Sequence, residues 1–278
     1  MLFRYRKRVL ARELLFMLAA AIFSLPLYLL VELSLKSPSE TARSPLGLPH
    51  HLDLSNYSSA WSSAGGGGMG GALLTSLLIT LAAVVLLIVF GSLAGYAIAR
   101  HTSHLSTGVW LLFVGGLLLP TQLGTIPLYS GMRSVGLVGT PVGVVLVYVG
   151  QLMPLTVFLL TGFIRALPRD YEEAAHVDGA SQLRTLVRVV LPLLRPIVAT
   201  VAIIDGLIVW NDFFVPLLWL SGSAQQTLPL ALYSFVGAFT SQWNVIFAGI
   251  VIVIGPILAM YIATQRHMIR GFTSGIRG

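Results

Sequence analysis

Six long apolar stretches constrain this chain more than any other feature, because each is long enough to cross a lipid bilayer. A bilayer core is about 30 Å thick, so a helix needs roughly 20 apolar residues to span it. The stretches cover about residues 14–33, 72–99, 108–129, 140–164, 197–220 and 245–264. Of the 278 residues 10% are charged, whereas an average soluble domain is about 25% charged. We therefore predict an all-α polytopic membrane protein with six transmembrane helices.

The distribution of basic residues predicts the orientation of these spans. Fourteen of the 17 lysine and arginine residues lie in the N-terminal segment (1–13), after spans two and four, and in the tail (265–278). The other three are Lys36, Arg43 and Arg133. Basic residues mark the cytoplasmic side of a membrane protein. Both termini of the transmembrane domain (14–264) are therefore predicted to be cytoplasmic, and the net charge of +7 indicates orientation and contact with lipid, not nucleic-acid binding.

The first apolar run is interpreted as a signal anchor and not as a cleaved signal peptide. It is longer than the roughly 7 to 15 apolar residues of a signal peptide, and no clean A-x-A cleavage site follows it.

A charged segment at residues 165–196, between spans four and five, interrupts this apolar pattern. Asp170 is predicted to cap a short helix, with Glu173 three residues later. Gly179 can adopt the left-handed conformation that ends such a helix. Ser181 is predicted to cap a second helix, and Pro192 and Pro196 to mark its bend into span five. Its apolar face would contain Leu183, Leu186, Val187, Val190 and Leu191, opposite a stripe of Arg184, Arg188 and Arg195.

The first of these helices is too short to be stable alone, since even ~12 to 15 residues are marginal in water. We therefore expect it to dock into a groove on a cytoplasmic partner. The alternative is a helix at the lipid interface, where arginines meet anionic headgroups. That suits the second helix, but the first contains four acids that would face a negative surface, namely Asp170, Glu172, Glu173 and Asp178.

The spacing within the segment resembles the EAA motif of ABC importer permeases. Glu173-Ala174-Ala175 is followed by three residues, Gly179, nine residues, Val189 where isoleucine is usual, and then Leu191-Pro192. LSNY at 54–57, IPLY at 126–129 with GL at 136–137, and WNDF at 210–213 resemble the carbohydrate branch of that family, specifically its maltose-transporter type six-span subunit. We call residues 165–196 the EAA segment.

The resemblance implies the ABC type I importer permease fold, with a cytoplasmic coupling helix between spans four and five. It assigns contact with the ATPase to Glu172, Glu173, Ala174, Ala175, Asp178, Gly179 and Ala180. The tail, RGFTSGIRG at 270–278, also resembles that subunit, with Arg277 where lysine is common. It would place Thr273, Ser274, Gly275 and Arg277 against the ATPase dimer.

The function implied is that of a permease subunit forming half of the path of an ATP-driven sugar or oligosaccharide importer in a bacterial cell membrane. The implied partners are a second homologous permease, two cytoplasmic ABC ATPase subunits and an extracytoplasmic sugar-binding protein.

No catalytic residue, cofactor or metal site is predicted in this chain. The glycine-rich residues 65–71 lack the Gly-Lys-Ser/Thr that completes a phosphate-binding P-loop. ATP and Mg would therefore be bound by the partner ATPase. His101 and His104 have the spacing HxxH without a third ligand, which does not complete a metal site.

Four polar or aromatic residues in span five are candidates for the translocation path: Asp205, Trp210, Asn211 and Asp212. A carboxylate within a membrane is costly, so it suggests a function. The alternative is a packing network with neighbouring spans, and Trp210 fits either a sugar-stacking surface or an interfacial anchor. In the maltose-type heterodimer the membrane sugar site lies mostly in the partner permease, so no specific sugar-contacting residue is predicted here.

Two other functions remain open. Another ABC-importer cargo such as glycerol phosphate would favour basic residues in the spans, and a polyamine would favour more acids than Asp205 and Asp212. An ion-coupled secondary transporter would need midplane ionisable residues and often repeated halves.

Overall fold

The computed structural model describes residues 7–63, 67–238 and 243–274, and every regular element in these ranges is helical. The predicted all-α class is therefore confirmed. The α-helices are α1 (Lys7–Ser34), α2 (Pro38–Arg43), α3 (Ser55–Ser63), α4 (Gly68–Arg100), α5 (His104–Leu118), α6 (Thr125–Ser134), α7 (Pro141–Ala166), α8 (Asp170–Val177), α9 (Gln182–Thr185), α10 (Leu191–Leu193), α11 (Arg195–Asn211), α12 (Phe214–Trp219), α13 (Leu228–Ala238) and α14 (Trp243–Ser274). A 3₁₀-helix (Thr121–Gly124) precedes α6, and a π-helix (Leu186–Val190) joins α9 to α10.

Three of the described helices are long and apolar enough to cross a membrane, namely α1 from Arg12 onward, α4 and α7. Two further groups of helices are long and apolar enough to cross a membrane when taken together, but each is sharply bent. Helix α5 is bent by 97° relative to the 3₁₀-helix and α6, and the α9–α10 segment is bent by 83° relative to α11. Counting each group as one span gives five. The apolar part of α14, Trp243–Ala259, is shorter. The six-span count remains a prediction.

The stretch predicted as span three, 108–129, is not one continuous helix. Helix α5 ends at Leu118, and Leu119 is extended (φ −80°, ψ 127°). Pro120 explains the break, because proline lacks an N–H and disfavours helical backbone in the residue before it. The stretch predicted as span five is also divided, since Asp212 is extended between α11 and α12 (φ −72°, ψ 132°).

The chain forms two compact units, the first from the described residues of Met1–Gly70 and Ala231–Pro256. A buried polar cluster organises this first unit. Lys36 is fully buried, forms an ion pair with Glu32, and donates to the carbonyl oxygen of Ser44 at 2.6 Å. The side-chain amides of Asn56 and Asn244 both donate to the carbonyl oxygen of Lys36 at 2.8 Å. These bonds tie the end of α1 to α3 and to the start of α14.

The second unit contains the described residues of Gly71–Leu230 and Ile257–Gly278. One of its apolar clusters joins α4, α7, α11 and α12, and includes Ile79, Tyr148, Val209 and Trp219. Another joins α4 and α7 to the EAA segment through Tyr96, Leu160, Ile164, Leu186 and Val190. The second cluster fixes the EAA segment against the helical bundle.

Candidate functional site

Helix α8 contains the EAA sequence, and its N-cap residue lies one position earlier in the chain than predicted. The N-cap is Arg169, whose carbonyl oxygen accepts the N–H groups of Glu172 at 2.8 Å and Glu173 at 3.0 Å. The prediction that Asp170 caps the helix is wrong, because Asp170 is itself the first helical residue. Asp170, Glu172 and Glu173 therefore share the first turn, where the helix dipole favours carboxylates.

The end of α8 is formed by Gly179, as predicted. Its φ of +78° lies in the left-handed region that L-residues with a Cβ rarely adopt. The N–H of Gly179 donates to His176 O and the N–H of Ala180 donates to Ala175 O, both at 2.9 Å. This pair of bonds is the Schellman motif. A Cβ at Gly179 would meet nothing within 4 Å, so the requirement for glycine comes from the backbone and not from crowding.

The second half of the EAA segment begins at Ser181, whose Oγ accepts the N–H of Arg184 at 3.4 Å. The predicted cap is therefore confirmed. The chain bends by 83° between Leu193 and Arg195, and this position lies between Pro192 and Pro196, as predicted.

The predicted apolar face of this second half is only partly correct. Leu186 and Val190 are buried, but Leu183 and Val187 are 61% and 53% exposed. Leu183 lies in α9, before the π-helix, whereas Val187 lies within the π-helix, which changes the phase of the side chains from there on. Leu191 N–H donates to Leu186 O, five residues back, and this wider spacing rotates side chains out of the phase of a regular α-helix. The three arginines predicted on the opposite stripe, Arg184, Arg188 and Arg195, are exposed.

Glu172 is the single buried residue of α8, all of which the structure describes, and it is 6% exposed. Its Oε1 accepts from Arg100 Nε at 2.7 Å and lies 2.6 Å from Arg100 Nη2, and its Oε2 accepts from Tyr96 OH at 2.9 Å. Arg100 Nη2 also donates to Leu167 O at 3.1 Å. Glu172 was predicted to contact the ATPase together with the other residues of the coupling set. In the structure its side chain instead bonds to Tyr96 and Arg100 of this chain.

The remaining residues of the predicted coupling set lie at the surface. Glu173, Ala174, Asp178 and Gly179 are exposed, and Ala175 and Ala180 are half-buried. Sequence reasoning missed Tyr171 and Val177, which are 51% and 88% exposed on the same helix. An apolar residue on a short polar helix is the signal that could have identified them.

The predicted tail contacts are not tested by the structure. Thr273 and Ser274 are the last two residues of helix α14, and the structure describes their backbone. Gly275 and Arg277 lie outside the described residues.

Asp205, in α11, packs against α7. It is fully buried, and its Oδ2 accepts from Thr156 Oγ1 at 2.9 Å. Among the described residues its Oδ1 has no hydrogen-bond partner. Asp205 was interpreted either as part of the translocation path or as part of a packing network between spans, and this geometry favours the packing network.

Asp212 links two helix ends to α7. Its Oδ2 accepts from Tyr148 OH at 2.9 Å and from Val215 N at 3.0 Å, and its Oδ1 accepts from Phe214 N at 3.2 Å. An aspartate that bonds nearby N–H groups competes with the helix, which explains why α11 stops there. Its neighbours differ: Trp210 is buried, and Asn211 is exposed, with Nδ2 donating to Leu207 O at 2.8 Å.

A cavity of about 470 Å³, which we call the polar cavity, lies where the break after α5, helix α7 and the α11–α12 break meet. Its lining residues are Thr121, Gln122, Thr125, Tyr148, Gln151, Leu152, Ile208, Asp212, Phe214 and Val215. Of these, sequence reasoning identified only Asp212. Gln151 within an apolar span and Gln122 just after Pro120 were signals available in the sequence.

The chain matches the family model described as "Binding-protein-dependent transport system inner membrane component" over residues 4–271. It is 33% identical over 252 residues to the melibiose/raffinose/stachyose import permease protein MelC of Bacillus subtilis, covering 90% of each chain. It is 31% identical over 250 residues to a probable starch degradation products transport system permease protein, AmyC, of Thermoanaerobacterium thermosulfurigenes, again covering 90% of each.

A solved structure has the same fold. It is the crystal structure of a bacterial ABC transporter involved in the import of the acidic polysaccharide alginate. The TM-score is 0.79 at 22% sequence identity, covering 96% of this chain and 99% of the other. The ABC importer permease fold expected from the sequence is therefore confirmed.

Proposed function

This chain belongs to the family of binding-protein-dependent transport system inner membrane components, and we propose that it is a permease subunit of an ATP-driven importer of sugars or oligosaccharides. In this proposal it pairs with a second homologous permease, two cytoplasmic ATPase subunits and an extracytoplasmic sugar-binding protein. It spans a bacterial cell membrane with both termini in the cytoplasm and performs no chemistry itself, since ATP and Mg are bound by the ATPase partner.

The surface of α8 is the observation that carries the proposal. The helix has eight residues and presents Tyr171 and Val177 uncovered beside the exposed acid Glu173. A helix of this length gains its stability from packing and not from its own hydrogen bonds. Its exposed apolar and acidic side chains suit a groove on a protein better than an anionic lipid surface. We assign that groove to the ATPase subunit.

The proposed mechanism follows from this docking. Nucleotide binding closes the two ATPase subunits and moves the two coupling helices together, which changes the permease pair from inward-facing to outward-facing. A ligand shifts a conformational equilibrium only through contacts that differ between the two states. The contribution of this chain is to provide such contacts at α8 and to pass their movement to the transmembrane helices.

The polar cavity supports a neutral carbohydrate as the cargo. Its amides, hydroxyls and one carboxylate offer both donors and acceptors to sugar hydroxyl groups. Among the described residues that line it there is no lysine or arginine to attract a phosphate, and the one acid among them, Asp212, already accepts three hydrogen bonds within the chain. Glycerol phosphate and polyamines are therefore poorer fits than a sugar. The names of both relatives above also point to sugars.

Reconstitution tests the whole proposal. The permease pair, the ATPase and the binding protein encoded beside them would be placed in proteoliposomes and offered raffinose, maltooligosaccharides, glycerol phosphate and spermidine. We expect ATP-dependent uptake of a sugar. Uptake driven by an ion gradient without the ATPase would contradict the proposal, and uptake of a non-sugar alone would contradict the assigned cargo.

Gln151→Leu tests the role of the polar cavity. Removing one amide that bonds a sugar hydroxyl should raise the half-saturation concentration for transport about tenfold. Gln225→Ala, in an exposed loop, is the matched control. Equal sugar affinity in both variants would remove the cavity from the path.

A further inference from the structure

We propose that Glu172, Arg100 and Tyr96 form a clamp that makes α8 move together with α4, so that α4 is a further route from the ATPase to the transmembrane bundle. This inference rests on the proposed function, because it concerns how the movement of the coupling helix is passed on. The EAA segment is joined by the chain itself to α7 and α11. Helix α4 is more than 60 residues away in sequence, and in the described part of the chain the side chains of Tyr96 and Arg100 connect it to the EAA segment.

The attachment of α8 to the bundle has an unusual composition. A short amphipathic helix normally packs by its apolar side chains, but Tyr171 and Val177 of α8 are 51% and 88% exposed. The residue that is buried instead is a glutamate, Glu172. The contact between α8 and α4 is therefore polar and directional, and it depends on the hydrogen-bond donors Tyr96 and Arg100.

Both oxygens of Glu172 are occupied by donors from the last turn of α4. Two guanidinium nitrogens of Arg100 reach one oxygen, and Tyr96, four residues earlier on α4, reaches the other. Because Arg100 also donates to Leu167 O, it holds the loop that leads into α8 as well. Arg100 thus connects α4 to both the helix and its entry.

The surroundings make this clamp stiff. The side chains of Arg100 and Glu172 are 11% and 8% exposed, so most of each side chain is shielded from bulk solvent. The charge-assisted hydrogen bond from Arg100 Nε to Glu172 Oε1 is strong, and it depends on its angle as well as on its distance. Separating the pair would leave a charge buried without its partner, which is strongly unfavourable. A displacement of α8 is therefore expected to carry the end of α4 with it.

A second contact strengthens the link. Tyr96 and Ala99 of α4 belong to the apolar cluster that contains Leu186 and Val190 of the EAA segment. Helix α4 is thus held by both halves of the EAA segment, by charge at α8 and by apolar packing at the π-helix. Since α4 runs without interruption from Gly68 to Arg100, movement at one end is transmitted along a continuous helix.

Charge exchange tests the clamp in the complete transporter. Arg100→Glu and Glu172→Arg each place like charges together, and the double variant restores an opposite pair. Arg133→Glu, an exposed arginine at the end of α6, controls for the change in net charge. The readout is sugar taken up per ATP hydrolysed in proteoliposomes, measured on complexes with matched ATPase content.

We expect each single reversal to lower uptake per ATP about tenfold, a typical size for coupling between sites, and the exchanged pair to recover most of it. Unchanged coupling in both single variants would overturn the proposal. If they fail to assemble, Tyr96→Phe decides, because it keeps the ring in the apolar cluster and removes one donor: lowered uptake per ATP supports the clamp, and an unchanged ratio refutes it. A wild-type complex that transports no sugar with ATP would instead refute the proposed function.

Discussion

The conformation of Gly179 predicts an order of substitutions at the end of the coupling helix. Its φ of +78° costs a residue with a Cβ about 1 to 2 kcal/mol. Apart from its two chain neighbours, no described residue has a heavy atom within 4 Å of the position that a Cβ would occupy, so we attribute the cost to the backbone. Alanine should therefore incur this cost, valine more because it is β-branched, and asparagine less because it tolerates the left-handed region.

The cost becomes a binding defect because the turn shapes the docking surface. Both hydrogen bonds of the motif, from Gly179 to His176 and from Ala180 to Ala175, require the left-handed residue. If the ATPase binds only the formed turn, 1.4 kcal/mol corresponds to a tenfold loss of affinity. We expect Gly179→Ala to weaken binding of the ATPase to the solubilised permease pair about tenfold, and Gly179→Val to weaken it further.

Titration of the labelled ATPase against the immobilised permease pair measures this order. Gly179→Asn should keep most of the affinity. Gly108→Val provides the control for adding a side chain, because Gly108 is a helical glycine with negative φ and open space around its Cβ position. If asparagine proved as harmful as valine, or alanine as harmless as glycine, the turn would not be what the ATPase recognises.

Three further outcomes are expected. The chain has no cysteine, so in intact cells a membrane-impermeant maleimide should label Leu48→Cys and leave Val177→Cys unlabelled until the cells are opened; the reverse pattern would contradict the assigned orientation. Glu32→Gln should lower the free energy of unfolding in detergent by roughly 3 kcal/mol, because it leaves the charge of the buried Lys36 without its counter-ion. The double variant Glu32→Leu with Lys36→Met should recover most of that loss. Asp205→Asn should keep transport within about twofold, since an amide oxygen can still accept the hydrogen bond from α7; loss of transport with an intact fold would place its charge in the path.

Local chemistry predicted the parts of the EAA segment that depend on a few neighbouring residues. The left-handed turn at Gly179, the cap at Ser181 and the bend between the prolines all follow from residue types at fixed spacing. These preferences act within a few residues and need no knowledge of the rest of the fold.

The positions that sequence reasoning missed depend on distant partners. The acids of α8 look alike in the sequence, and Glu172 is distinguished from Glu173 only because Arg100, 72 residues earlier, lies against it. The polar cavity likewise depends on three segments that meet in the fold, so Gln122 and Gln151 have no common pattern along the chain. The π-helix at 186–190 was not predicted either, and two of its residues, Leu186 and Val190, pack in a cluster with α4 and α7.

The two halves of the EAA segment are attached to the helical bundle by different kinds of contact, and we expect the two contacts to respond differently to movement. The second half is attached by buried apolar side chains, Leu186 and Val190, and such contacts are non-directional and tolerate small shifts. The first half is attached through Glu172 by charge-assisted bonds, which lose much of their strength when donors move out of line. A force applied to α8 would therefore meet a stiff connection to α4 and a more compliant one beneath the π-helix. This difference predicts that substitutions at Arg100 change coupling, whereas Val190→Ala mainly lowers stability through the cavity that it leaves.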